Sequence, residues 1–313
     1  MAMEELKSYL NIAPEIMHAK QMGLPIVALE STVITHGLPW PENYQLALEM
    51  EQVICKEGAI PATIALLQGQ VHIGLNREQL EHLAQNETAR KISLRDFGIA
   101  LAGKLDGGTT VAATMFAAEK AGIKIFATGG IGGVHRQSIF DISADLPQLS
   151  RCPVVVVCAG AKSILDLGAT LEFLETWGVP VIGYQTDSFP AFFASNSGLA
   201  VDIRAETAEE VARIARAHWG VGLKSGLLVA NPAPAESAMD YDGIEETIQK
   251  ALQEASSEGI KGNKITPYLL SKISQLSDGD SMKANLALLL NNAKLAANIA
   301  QHLVDKPENV FSL

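Results

Sequence analysis

The sequence predicts an α/β fold in three layers, α/β/α, with a mixed, mostly parallel central sheet and a helical C-terminal region, organised as one domain over residues 1–313. Three observations carry that expectation. Short apolar runs alternate with helical patterns along most of the chain, the order that parallel strands and crossover helices require. The runs are apolar throughout rather than alternately polar, so each strand should be covered on both faces. After Asn231 the pattern turns helical, and about eighty residues of helix need a sheet to bury their apolar sides.

Strands are expected at 25–29, 63–67, 124–127, 153–158, 179–183 and 227–230. Helical patterns lie between them at 42–57, 110–121, 163–177 and 208–219, the first opened by Pro41 at a position where a missing N–H costs nothing. The turn Gln68-Gly-Gln70 points to an antiparallel hairpin over 68–74, which makes the sheet mixed. An Ala/Pro linker after Asn231 leads to helices near 243–256, 268–274 and 282–302, and no internal repeat or low-complexity segment interrupts the chain.

Composition bounds the partners. Apolar residues make up 48% of the chain and charged residues 19%, enough to build a core and against wholesale disorder. The net charge is −11, with lysines and arginines scattered, which argues against nucleic acid as a partner but leaves room for a small anion in a locally positive pocket. Cys55, Cys152 and Cys158 form no CxxC pair and read as inert thiols. The N-terminal stretch is acidic and amphipathic, and no apolar run reaches the roughly 18 residues of a membrane span. A cytoplasmic protein without a membrane partner is expected.

Ligands of open α/β sheets bind beyond the carboxyl ends of the strands, and there the unusual residues gather: Glu30, Gly129–Gly133, Ala159-Gly-Ala-Lys162 and Asn231-Pro232. Lys162 is expected in the first turn of the helix beginning near Ser163, where the macrodipole disfavours a cation. That position favours a neutral amine fit for Schiff-base chemistry; a lysine reaching solvent or pairing with a carboxylate fits equally. Glu30 can act as a general acid or base, or cap the polar loop after it. Asp141, Ser143 and Asp145, two residues apart, share a face if the segment is extended. They suit a hard, partly hydrated Mg²⁺ or Mn²⁺, although Asp145 also fits as a helix cap. Gly107-Gly-Thr-Thr-Val111 opens a helix that could hold a phosphate, as could the 129–133 glycines ahead of His135; tight turns account for both as well.

Several strings together resemble the pseudouridine-5′-phosphate glycosidase family, also called indigoidine synthase A-like proteins. They are Ala28-Leu-Glu-Ser-Thr32, Pro61-Ala-Thr-Ile-Ala65, the run 126–136 ending in Val-His-Arg136, Asp141-Ile-Ser-Ala-Asp145, Cys158-Ala-Gly-Ala-Lys-Ser-Ile-Leu-Asp166, Gly183-Tyr-Gln-Thr186 and Ala230-Asn-Pro232. The resemblance covers almost the whole chain. It implies reversible cleavage of the carbon–carbon glycosidic bond of pseudouridine 5′-phosphate to uracil and ribose 5-phosphate, a lyase-type reaction. It implies Lys162 as the nucleophile that forms a Schiff-base adduct, Glu30 as the acid, and Asp141 as the ligand of Mn²⁺, with Mg²⁺ or another divalent ion as a substitute. Substrate contacts are implied for Lys91, Val111, Ser143, Ala144, Asp145 and Asn285, with His135 as a further contributor, and a homotrimer as the assembly. The stretch before Asp141, 137–140, is shorter than in some relatives. Two rival readings share the pocket: a Schiff-base aldolase acting on another phosphorylated sugar, and a non-catalytic sugar-phosphate sensor.

Overall fold

A computed structural model describes residues 8–304 apart from 137, 261–264 and 278. Strands are β1 Leu10–Ile12, β2 Ile26–Leu29, β3 Ile60–Leu67, β4 Gln70–Ile73, β5 Arg90–Ile92, β6 Gly107–Thr109, β7 Ile125–Ala127, β8 Val134–His135, β9 Ser138–Ile142, β10 Val155–Cys158, β11 Leu165–Asp166, β12 Val181–Tyr184, β13 Ile203–Ala205 and β14 Leu227–Ala230. The central sheet has eleven strands, with the path β1-β4-β3-β2-β7-β10-β14-β12-β13, and β6 joining β5 to β3. From β3 through β2 to β13 every pairing is parallel; β4 and β6 run antiparallel to β3. The mixed, mostly parallel sheet and the 68–74 hairpin are therefore as the sequence predicts. Strands β11, β8 and β9 form a separate three-stranded sheet, which the apolar pattern does not foreshadow.

Helices are α1 Pro14–Gln21, α2 Thr32–His36, α3 Glu42–Lys56, α4 Arg77–Gln85, α5 Phe97–Ala102, α6 Val111–Ala121, α7 Asp145–Leu149, α8 Leu167–Thr176, α9 Ala208–Gly220, α10 Tyr241–Ser257, α11 Ile265–Leu276 and α12 Asp280–Leu303. Helix α12 lies across β2, β7 and β10 between α3 and α9. Its contact stripe is rich in alanine, with Ala284, Ala293, Ala296, Ala297 and Ala300 buried, and small side chains let it approach the strands closely. Helix α6, also alanine-rich, packs against β2, β3 and β7. The C-terminal helices thus include a layer on the sheet, because the stripe of α12 matches the apolar roof left by the central valines.

The strand core is dry: Val154 through Ala159, and Leu227 through Ala230, are fully buried. Two of the cysteines share that environment, and burial pushes the Cys152 and Cys158 thiols up to about 12, which leaves them protonated and inert. Among the described residues no helix is long and apolar enough to cross a membrane.

Candidate active site

Strands β2, β7, β10 and β14 are neighbours in register, with Leu29 opposite Ala127, Ala127 opposite Val157 and Cys158 opposite Ala230. Their carboxyl ends therefore lie in a row, and Glu30, Thr128, Ala159 and Asn231 come directly after them. A cavity of about 620 Å³ opens at this edge, lined among others by Glu30, Lys91, Gly129, Gly130, Lys162 and Asn285. That volume lies within the range of pockets for small organic ligands.

Glu30 is held by two hydroxyls: Thr32 Oγ1 and Thr128 Oγ1 donate to its two carboxylate oxygens. One threonine begins α2 and the other directly follows β7, so the carboxylate is fixed from two sides. Asn285 enters from α12. Two turns along the same helix, buried Asn292 donates to Thr128 O at 2.8 Å and accepts from Asn231 Nδ2 at 2.9 Å. Asn292 therefore pins α12 onto the strand ends and sets the height at which Asn285 meets the cavity. Nothing in the sequence pattern singled out Asn292; a lone asparagine within an alanine-rich helix face is its only trace.

Lys91 and Lys162 bring two amines to the same space. Burial lowers the Lys91 pKa from the ordinary lysine value, and the charge of Lys162 lowers it further, against the opposing pull of Glu30 and Asp145. His36, on the cavity wall, is likewise lowered by burial and then by Lys91. Replacing Lys91 by methionine is therefore expected to move the His36 pKa upward, while burial still holds it below 6.5. An NMR titration of the imidazole reads this directly, and an unmoved midpoint would refute the Lys91–His36 coupling.

The local structure around Lys162 departs from expectation. The helix begins at Leu167, capped by the Asp166 side chain at 2.9 Å from the Ala169 amide. Residues 159–164 form a loop between β10 and β11, so Lys162 lies outside any helix terminus and the macrodipole argument does not apply. Asp166 outcompetes Ser163 for the cap because its carboxylate reaches the third amide of the helix. Gly160 makes the loop possible. Its φ is +82°, and a Cβ there would stand 2.2 Å from Pro190 O.

The Gly107–Val111 string opens helix α6 at Val111, capped by Thr110, as the sequence suggests, and its glycines precede the helix as a strand. Gly107–Thr109 is strand β6, paired to β5 and β3, and Gly108 is required because a Cβ would meet Thr35 Oγ1 at 2.4 Å. Close packing accounts for these glycines. Val111 is the first residue of α6, where Asp145 Oδ1 accepts from the Ala112 amide at 2.8 Å while Oδ2 accepts from Gly132 N at 2.8 Å.

The extended stretch ends at Ile142, so Asp141, Ser143 and Asp145 do not continue on one strand face: Ser143 and Asp145 turn toward Gly132, and Asp145 opens α7. Asp141 stands on β9 with its side chain half exposed, its Oδ2 4.0 Å from His135 Nδ1. Among the described residues no group of three His, Cys, Asp or Glu side chains could enclose a metal. One open carboxylate suits a hard ion that keeps most of its water, and does not suit a closed site. The cavity lining includes Glu30, Lys91, Lys162 and Asn285 but not Val111, His135, Asp141, Ser143, Ala144 or Asp145. Asp145 is buried, and its charge pulls the Lys91 pKa upward. Replacing it by alanine strands two backbone donors, and a stability loss of about 3 kcal/mol is expected, readable as a lower midpoint in urea.

Sheet, strand-end cavity, carboxylate and paired amines define an α/β protein with a pocket of small-molecule size that sets a carboxylate beside two primary amines. The chain belongs to the indigoidine synthase A-like protein family, which it matches over residues 15–302. A pseudouridine-5′-phosphate glycosidase of Clostridium botulinum is 51% identical over 95% of this chain and 98% of its own, and one of Escherichia coli K12 is 50% identical over 96% and 98%. Among solved structures, the prealnumycin C-glycosynthase AlnA in complex with ribulose 5-phosphate superposes with a TM-score of 0.88 at 40% identity, covering 94% of this chain and 97% of that one. An indigoidine synthase A-like protein of Thermotoga maritima gives 0.87 at 38% identity, with 95% and 97% covered.

Proposed function

We propose that this chain is an enzyme that reversibly cleaves the carbon–carbon glycosidic bond of pseudouridine 5′-phosphate, releasing uracil and ribose 5-phosphate. The observation that carries the reading is the convergence of Glu30, Lys91, Lys162 and Asn285 on one cavity. It is supported by full-length relatives of that activity at about half identity and by a related C-glycosynthase that holds a pentulose 5-phosphate.

A carbon leaving group cannot carry the charge that a nitrogen can, so the reaction needs an electron sink and a proton for the departing carbon. Lys162 attacks C1′ and the sugar ring opens, with the ring oxygen taking a proton. As nitrogen lone-pair density closes the imine, the C1′–C bond breaks and its electrons take a proton at the base carbon. Water then hydrolyses the imine, freeing ribose 5-phosphate and the amine. The ring oxygen takes its proton from the amine that has just attacked, and Glu30 supplies the proton at the base carbon. Lys91 meets the phosphate as a compact charge, and Asn285 donates to and accepts from the uracil edge. Asp141 would hold Mn²⁺, or Mg²⁺ in its place, and the bound ion would supply positive charge beside the site. Val111, Ser143, Ala144, Asp145 and His135 complete the surroundings of the sugar, in a cytoplasmic homotrimer.

Product analysis tests the function. The protein incubated with pseudouridine 5′-phosphate is expected to release uracil and ribose 5-phosphate in equal amounts. Release of other products supports an aldolase-type lyase, and binding without turnover supports a sensor. For Lys91→Met the expected result is a KM about 10–100-fold higher, with kcat little changed, the scale of one lost charge-assisted contact.

A further inference from the structure

The residues flanking Lys162 are held by two different kinds of tether. Upstream, the loop is stitched by backbone bonds to the glycine run: Ala159 N to Gly129 O at 2.8 Å, Ile131 N to Gly160 O at 3.1 Å and Lys162 N to Ile131 O at 3.0 Å. Downstream, where Leu165 and Asp166 pair with β8, one side chain adds a second hold. Arg136, just past β8, donates from Nη2 to Ser163 O at 2.8 Å and from Nε to Leu165 O at 3.0 Å. The Ser163 hydroxyl is buried and finds no partner among the described residues, so that side chain adds no tether of its own.

The guanidinium is itself held by Glu245 of α10. Nη1 donates to one carboxylate oxygen and Nη2 to the other, the latter at 2.9 Å. Gln249, one turn further on, donates to Glu245 Oε1 at 2.8 Å. The Arg136 bonds hold the Glu245 carboxyl below the usual carboxylate range, so the pair stays charged near neutrality. A planar fork of donors can serve two carbonyls and a carboxylate at once, which an ammonium cannot.

From this geometry we infer that Arg136 and Glu245 form a clamp that positions Lys162 for attack, a role that rests on Lys162 being the reacting amine. The flexible lysine stem cannot fix its own nitrogen; the direction of its Cα–Cβ bond is set by the loop, which the glycine-run bonds hold upstream and the clamp, with the β8 pairing, holds downstream. A displacement of about 1 Å at a nucleophile can cost about 100-fold in rate. The pair is also partly open to water, with side chains 21% and 28% exposed. Solvent can satisfy Glu245 after its loss, but the carbonyls of buried Ser163 and Leu165 lose a donor, so the rate is read per folded molecule beside the thermal midpoint.

The test uses the full chain with ribose 5-phosphate and borohydride, comparing wild type with Arg136→Met, Arg136→Lys and Glu245→Gln. The readouts are the single-turnover rate of trapped adduct at saturating sugar phosphate, its half-saturation concentration, and the thermal midpoint. For Arg136→Met the adduct rate is expected to fall about 30–100-fold, with half-saturation within about threefold and the midpoint within a few degrees. Arg136→Lys should not rescue the rate, and Glu245→Gln should fall between. The Arg136→Met/Glu245→Gln double variant should be no slower than Arg136→Met alone, since the two act as one unit. A wild-type adduct rate in any of the three folded single variants overturns the clamp. So does a loss of stability with the rate per folded molecule unchanged. If wild type itself yields no adduct, the reading of Lys162 fails first and the clamp with it, a result distinct from the other two.

Discussion

Lys162→Ala is expected to abolish the borohydride-trapped adduct with ribose 5-phosphate and to lower turnover by about four orders of magnitude or more, the scale on which a lost covalent nucleophile registers. The case is sharper than for a lone lysine, because the cavity offers two amines and only one can be the attacking group. Lys91 carries the lowered pKa, through burial and through the charge of Lys162, and a lowered lysine pKa is an ordinary signature of Schiff-base chemistry. Position argues the other way. Lys91 sits within β5, whereas Lys162 rides the loop that leaves the β10 strand end beside Glu30 and the glycine run. Peptide mapping decides between them. Mass added at Lys162 in wild type, and retained in Lys91→Met at higher sugar-phosphate concentration, supports the assignment. Mass added at Lys91 reverses the two roles.

The strand ends were legible because a buried parallel sheet leaves little freedom: runs such as 153–158 must be strands, and the residues just beyond their carboxyl ends must face the ligand edge. Glu30, Lys162 and the 129–133 glycines were placed by that reasoning alone. What escaped was decided by tertiary contacts. The Lys162 helix starts four residues later than its pattern suggests because Asp166 caps it and residues 165–166 pair with β8. Two-residue strands of this kind have no periodicity to read. The Gly107–Thr109 strand was not legible because glycines placed for close approach to Thr35 and Arg90 look in sequence like those of a turn or an anion loop. Asn292 and Arg136 were invisible for the same reason. Each matters through backbone carbonyls that lie far away in sequence, Thr128 for one and Ser163 for the other.

Glu30→Gln is expected to stop bond cleavage while sparing the adduct. The substitution keeps the volume of the side chain but removes the transferable proton, and general acid catalysis is typically worth about 10²–10⁴ in rate. Thr32 and Thr128 both donate to the carboxylate; a glutamine amide presents one acceptor and one donor, so one of those hydroxyls must turn and accept. Ribose 5-phosphate already lacks the carbon leaving group, so imine formation from its open-chain aldehyde does not need a proton at a base carbon. The adduct on Lys162 should therefore still form in Glu30→Gln, while uracil release from pseudouridine 5′-phosphate falls by about 10³. Glu30→Asp separates placement from acidity, since it keeps the carboxyl group but withdraws it by about 1 Å, which alone can cost about 100-fold. Uracil release near the wild-type rate in Glu30→Gln rules Glu30 out as the acid. Loss of the sugar-phosphate adduct along with cleavage assigns it to holding the sugar rather than to the proton.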